Sequence, residues 1–322
     1  MDEFTLIEKY FKILTYNNPA ALDLNDDVFF DKKCNVVVSM DTYVEGVHFL
    51  NFTKPDLVIK KIVRSSISDL YCKGVKPKFI FIGASGNNNS FSKKNLNIIY
   101  KSLKEEQKKY AIKLSGGDTT KFNKTIFTIM SLGYSKKIVQ RNKCKNGDDI
   151  YVTGNIGDSY LGLQILKRKV LLNKKEHNYF TKKYYLPELP VKISTNLLNF
   201  ANSSIDISDG LFGDLSKLIN KSKLFYKFDL HKVPVSINLR NYLDKYKKKK
   251  INFISKGDDY QIIFTSPKSK RNYIQKFFKK MNQKVTLIGN LTNHAKNNVI
   301  IEGNNRLKHK YNEAYSHNFQ KS

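Results

Sequence analysis

"SSIDISDGLFGDL" (203–215) sets Asp206, Asp209 and Asp214 within nine positions of one another at the approach to a helix. "NDD" (25–27), "SMD" ending at Asp41, "SISD" ending at Asp69, "GGD" ending at Asp118 and "GDD" (257–259) repeat the theme. The chain holds 57 Lys plus Arg against 28 Asp plus Glu, so carboxylates are scarce and yet grouped. Taken singly, each group has a plain structural reading, because Asp before Gly belongs to turns and Asp or Ser caps helices. Asp209 reads as such a cap, and Asp148 with Asp149 as a turn into a strand. Turns and caps do not explain why aspartates recur at strand ends and helix starts in both halves. Such ends converge where an α/β cleft opens.

Working outward, Phe4, Ile7, Phe11 and Leu14 have helical spacing, and "NVVVSMD" reads as a short strand ending on Asp41. Residues 55–74 read as a helix with Pro near its start and Gly past its end. Strands over 78–85 and 127–134 flank a helix over 95–110. The loop around 142–148 marks a boundary between domains of residues 1–145 and 146–322. Beyond it "NGDDIYVTGNIGDSYLGLQIL" gives a turn, a strand, a Gly-containing loop and a helix. A helix over 191–201, the strand "QIIFT", a helix over 268–281 and the strands "VTLIGNL" and "NVIIEG" complete the half. This irregular alternation predicts a mixed α/β (α+β) class, with two domains facing each other across a cleft.

Composition narrows the chemistry. A chain of 322 residues, 40% hydrophobic and 12% aromatic, can bury two cores. No apolar run approaches the roughly 18 residues of a membrane span, and "MDEFTLIEKYF" lacks the basic start and apolar block of a signal peptide, so a cytoplasmic protein is expected. Cys34, Cys72 and Cys144 are too far apart for a CxxC pair, which argues against a disulfide framework or a zinc site. A bound metal must then take oxygen ligands, as a hard ion such as magnesium does. The net charge of +29 raises nucleic acid as a partner, but the lysines are scattered over helix faces and read as solvated. Grouped carboxylates repel and take up protons unless a cation compensates. Magnesium supplies that charge and completes its shell with substrate phosphates, so the pattern points to nucleotide-phosphate chemistry. "GNIGDS" (154–159) has no GK[ST] and reads as a tight strand-to-helix turn, and the chain has no HRD or DFG set.

The order of "EFTLIEKYF", "NDD", "SMDTYVEGVHF", "SISDLYCKGVKP", "SGGDTT", "YVTGNIGDS", "SSIDISDGL" and "KGDDYQIIFT" resembles the thiamine-monophosphate kinase family, from residue 3 to about 319. The resemblance implies an aminoimidazole ribonucleotide synthetase-like fold, in which two-domain subunits pair their N-terminal sheets in a homodimer. It also implies ATP and several Mg²⁺ ions in the cleft between domains. The metal ligands implied are Asp27, Ser39, Met40, Asp41, Asp69, Asp118, Asp206 and Asp209. Gly117, Asp118, Arg141 and Ser208 are implied to hold ATP, and His48, Asp258 and Tyr315 thiamine monophosphate. The implied reaction passes the γ-phosphoryl group of ATP to the phosphate of thiamine monophosphate. That acceptor oxygen is already ionised, so no general base is assigned, and Arg141 is given a charge-stabilising role. Tyr315 offers an aromatic face to the cationic thiamine ring.

This chain departs from the family pattern at several positions. Asn25 and Met40 stand for Gly and Thr, Ser66 for Asn, and Lys256, Asp258 and Gln261 for Gly, Glu and Glu. A metal contact from the Thr side chain is lost at Met40, whereas one from its backbone survives. Two other readings stand beside this one. One is an ATP-using synthetase of the same superfamily acting on a different small anion. The other is a basic nucleic-acid-binding protein, whose binding weakens steeply with salt and which gives the aspartates no role.

Overall fold

The structure, a computed structural model, describes residues 2–307. The first sheet comprises β1 (Phe29–Asp31), β2 (Val36–Val44), β3 (Pro77–Gly86), β4 (Lys113–Lys121) and β5 (Ile126–Tyr134), ordered β1-β2-β5-β3-β4. The second comprises β6 (Asp149–Thr153), β7 (Ser203–Asp206), β8 (Phe225–Asp229), β9 (Ile262–Ser266), β10 (Val285–Thr292), β11 (Val299–Glu302) and β12 (Asn305–Leu307), ordered β12-β11-β8-β10-β6-β9-β7. Pairing is antiparallel except between β3 and β4 and between β8 and β11. The helices are α1 (Glu3–Leu6), α2 (Pro55–Cys72), α3 (Lys93–Tyr110), α4 (Asp158–Leu166), α5 (Lys174–Tyr185), α6 (Leu211–Ile219), α7 (Ile237–Lys245), α8 (Ile251–Ile254) and α9 (Arg271–Lys280).

Helix α2 organises the molecule. Pro55 opens it, where a missing N–H costs nothing. Val58, Ile59, Ile62, Val63, Ile67 and Leu70 are buried, each contributing about 1.5–3 kcal/mol of transfer free energy. Its serines, Ser65, Ser66 and Ser68, are buried as well, because α2 packs on β2 and β5 on one side and on α5 and β7 on the other. Tyr184 and Tyr185 of α5 enter the same core as Ile59 and Val63, so the two halves of the chain share apolar surface. A second core gathers Ile150, Val152, Ile205, Phe228, Ile263 and Ile288 from the larger sheet.

Some elements differ from the sequence expectations. β2 does not stop at Asp41 but runs to Val44, paired with β5 as far as Ile126. β4 has no alternating apolar pattern to announce it; the β3–α3–β4 crossover brings "KLSGGDTTK" parallel to β3 as an exposed edge strand. Over 191–201 the expected helix is shortened to a 3-10 helix at Ser194–Asn199. Ser194, Thr195 and Asn196 compete for backbone hydrogen bonds there, and Ser194 Oγ donates to the Tyr71 carbonyl at 2.8 Å. The first segment forms α1 and then irregular helical turns to Thr15, with Phe4, Phe11 and Leu14 exposed.

Candidate active site

The acidic residues converge because three elements end or cross at one place. Along β2 side chains alternate, so Ser39 and Asp41 share a face and Met40 points to the other, where it is 67% exposed. Asp69, in the last turn of α2, accepts a short hydrogen bond from Ser39 Oγ. Ser68 Oγ donates at 2.7 Å to Asp206, the last residue of β7. One carboxylate oxygen each from Asp27, Asp69 and Asp206 lies within 4.8 Å of the others. Asp41, Asp69 and Asp206 line a cleft of about 810 Å³ together with Ser208, Asp209, His48 and Asp258.

The charges around this cleft are unevenly paired. Asp26 and Asp27 take the ammonium of Lys73 at 2.7 and 2.5 Å, and the Arg141 guanidinium also lies on Asp27. Asp209 and Asp214 share Lys217. Asp41, Asp69 and Asp206 have hydroxyl partners instead (Tyr43 at 3.0 Å, Ser39 and Ser68) and enter no ion pair among the described residues. Burial lifts Asp41 to about 6 and Asp206 to about 7. Asp69 rises well above the carboxylate range, through burial and then through repulsion from Asp41 and Asp206. Three carboxylates at one cleft, Asp206 buried and Asp41 and Asp69 partly exposed to it, with hydroxyl rather than cationic partners, fit a hard divalent cation.

These shifts give a pH prediction. The folded values lie above the ordinary 3.8, so in metal-free protein the stability these groups contribute is full below about pH 4 and is lost as pH rises through 6 to 7. The melting temperature in EDTA should therefore fall behind that in Mg²⁺ progressively from about pH 5 to 8. A difference that stays constant or shrinks over that range, measured by calorimetry, counts against the cation site.

The far wall is the loop 256–260. Gly257 lies so close to Ser208 that a Cβ there would sit 1.6 Å from the Ser208 carbonyl oxygen. Asp258 and Tyr260 have φ of +71° and +50°, the left-handed region that non-glycine residues avoid. Lys256 takes no positive φ, so its replacement of a glycine is sterically accommodated. Asp258 is held by Lys61 of α2 at 2.5 Å, and the buried Lys61 ammonium lies 3.9 Å from the centre of the Tyr184 ring. At the cleft edge the Nδ1 atom of His48 accepts the Val44 N–H at 3.0 Å, which puts the proton of the neutral ring on Nε2.

Other expected residues are placed differently. Gly117 and Asp118 are on exposed β4, outside the Asp27–Asp69–Asp206 group, and line a second cavity of about 420 Å³ walled by Ile59, Ile99, Leu103 and Phe127. Tyr315 lies outside the described residues. Asp209 does not cap α6. Asp214 accepts the N–H groups of Asp209 and Gly210, because its place in the first turn of α6 lets it reach back. In "GNIGDS" the buried Asp259 carboxylate accepts the Gly157 N–H at 2.7 Å, so a side chain already occupies the anion position of that turn. Asp148 and Asp149 are structural, bonded to Asn202 and Arg271. Lys61, Lys73 and Lys217 were not singled out by the sequence, where they look like any other of its many lysines.

Known proteins resemble this chain in sequence and in fold. The family described as AIR synthase related protein, N-terminal domain, matches residues 17–134. Thiamine-monophosphate kinase of Buchnera aphidicola subsp. Schizaphis graminum is 34% identical over 322 residues, covering 95% of this chain and 96% of that one. Thiamine-monophosphate kinase of Haemophilus influenzae is 30% identical over 298 residues, covering 90% and 89%. Among solved structures, "AaThiL complexed with AMPPCP and TMP" superposes with a TM-score of 0.83 at 25% identity, covering 98% of this chain and 97% of that one.

Proposed function

The chain belongs to the thiamine-monophosphate kinase family, and from that premise we propose how its residues carry the ATP-dependent phosphorylation of thiamine monophosphate to thiamine diphosphate. The observation that carries the reading is the set of three carboxylates, buried Asp206 and partly buried Asp41 and Asp69, brought to one cleft without a cationic side chain of their own. With Asp27 they are the residues that would hold Mg²⁺, which when bound offsets the charge of two phosphate groups and orients them. Met40 takes part through its backbone, since β2 turns its side chain away.

The rest falls to the chain's own groups. Ser208 and Arg141 flank the ATP phosphates, and Arg141, beside Asp27, neutralises charge on the transferred group. The flat adenine ring suits the apolar cavity next to Gly117 and Asp118. His48 donates from Nε2 to the acceptor phosphate, and Asp258 faces the cationic part of thiamine. No residue need remove a proton, because the second ionisation of a phosphate monoester lies near pH 6.

A homodimer through the first sheet is supported by the apolar surface it leaves uncovered on the side away from α2, with Met40 exposed and Met130 and Leu132 half-buried. A division near residue 145 is supported by the composition of the two sheets, the first ending at Tyr134 and the second beginning at Asp149. No described helix is long and apolar enough to cross a membrane, and a cytoplasmic site of action is part of this reading.

Incubating the purified, Mg²⁺-loaded protein with ATP and thiamine monophosphate should yield thiamine diphosphate and ADP. If folded protein makes no thiamine diphosphate, the reading fails. Turnover of a different small anion in its place would identify another synthetase of the superfamily.

A further inference from the structure

Lys73 follows directly on α2 and is fully buried, an unusual place for a side chain that normally carries its charge to water. An ammonium can face three acceptors, and three oxygens close on this one. Asp27 lies at 2.5 Å, Asp26 at 2.7 Å and the main-chain oxygen of Ser204 at 2.8 Å. Three oxygens closing on one positive atom, two of them carboxylate, is the surrounding of a small bound cation rather than of a surface ion pair. Asp27 is also a member of the Asp27–Asp69–Asp206 group, so the ammonium stands immediately behind the cation site.

We propose that Lys73 is a built-in cation of the active site: it fills the place where a metal ion would otherwise neutralise Asp26 and Asp27, and so lowers by one the number of exchangeable ions the enzyme takes. The proposal rests on the metal reading given above. A tethered charge does not dissociate, so one end of the acidic cluster stays neutralised whatever the free Mg²⁺ concentration. The other end, at Asp41, Asp69 and Asp206, stays open to exchange. Lys73 is a positioning residue in this account, acting on the phosphates through Asp27.

Mn²⁺ bound to nucleotide-free protein, counted by loss of the free-ion paramagnetic resonance signal, tests this for the wild type, Lys73→Met and Lys73→Arg. The Met variant should bind one more ion per chain than the wild type, and the Arg variant the same number. In EDTA the Met variant should melt below the wild type and recover with Mn²⁺. Equal counts in folded wild type and Met variant overturn the proposal while leaving the metal reading in place. A Met variant that stays unfolded in excess Mn²⁺ also overturns it, since an ion then cannot replace the ammonium. Failure of both proteins to bind any ion overturns the metal reading, and this inference with it.

Discussion

Asp69→Asn should lower turnover by roughly a thousandfold or more, while the metal-free variant melts at or above the wild-type temperature. The two halves of this expectation have the same cause. Among the three cleft carboxylates Asp69 is pushed well toward its protonated form, by burial and by Asp41 and Asp206. In the metal-free protein a neutral amide of the same shape therefore removes repulsion, and Asn can still accept the hydrogen bond from Ser39. On the proposed Mg²⁺ reading the same change would remove one anionic ligand, and several kcal/mol of charge stabilisation corresponds to about three orders of magnitude in rate. Asp41→Asn should follow the same pattern from the β2 side. Steady-state kinetics with a Mg²⁺ titration of the melting temperature decides the matter. Near-normal turnover with an undiminished Mg²⁺ stabilisation would remove Asp69 from the site.

The sequence made this cluster legible for a definite reason. Aspartates at the end of "SISD" and within "SSIDISD" fall at element termini, the last turn of α2 and the end of β7, where side chains can face a cleft. The long helix α2 was equally readable, because Pro55 and Gly74 bracket an unbroken apolar period. What stayed hidden depends on tertiary context. "IKKIV" reads as a solvated lysine pair, yet Lys60 meets the exposed Glu105 while Lys61 turns inward to Asp258. "YCKGV" gives no sign that Lys73 faces Asp26 and Asp27 across about 46 residues of chain. β4 was invisible because an edge strand supported by a parallel neighbour needs no apolar alternation of its own. Asp209 and Asp214 of "SDGLFGDL" are equally suited by type to bond the turn before α6, and only the turn geometry gives that role to Asp214.

Lys61→Met should destabilise the protein by about 1–3 kcal/mol and raise KM for thiamine monophosphate at least tenfold, with little change in KM for ATP. Removing one partner of a fully buried pair costs about 3–5 kcal/mol, because the other charge is left without compensation. The lower figure applies here because Asp258 keeps 27% of its side chain exposed to the cleft. Part of the cost is conformational. Asp258 and Tyr260 both sit in the left-handed region, a strain of order 1–3 kcal/mol each that surrounding contacts must hold. Lys61 supplies such a contact from the same helix that carries Asp69, so it ties the proposed substrate wall to the proposed metal wall. Methionine keeps the apolar packing against Tyr184 but cannot bridge to Asp258. Adding Asp258→Asn should restore most of the lost stability, since the unpaired charge is gone, and leave the KM defect in place. A double variant whose stability losses simply add would show that Lys61 and Asp258 act independently, and the link between the two walls of the cleft would then have to lie elsewhere.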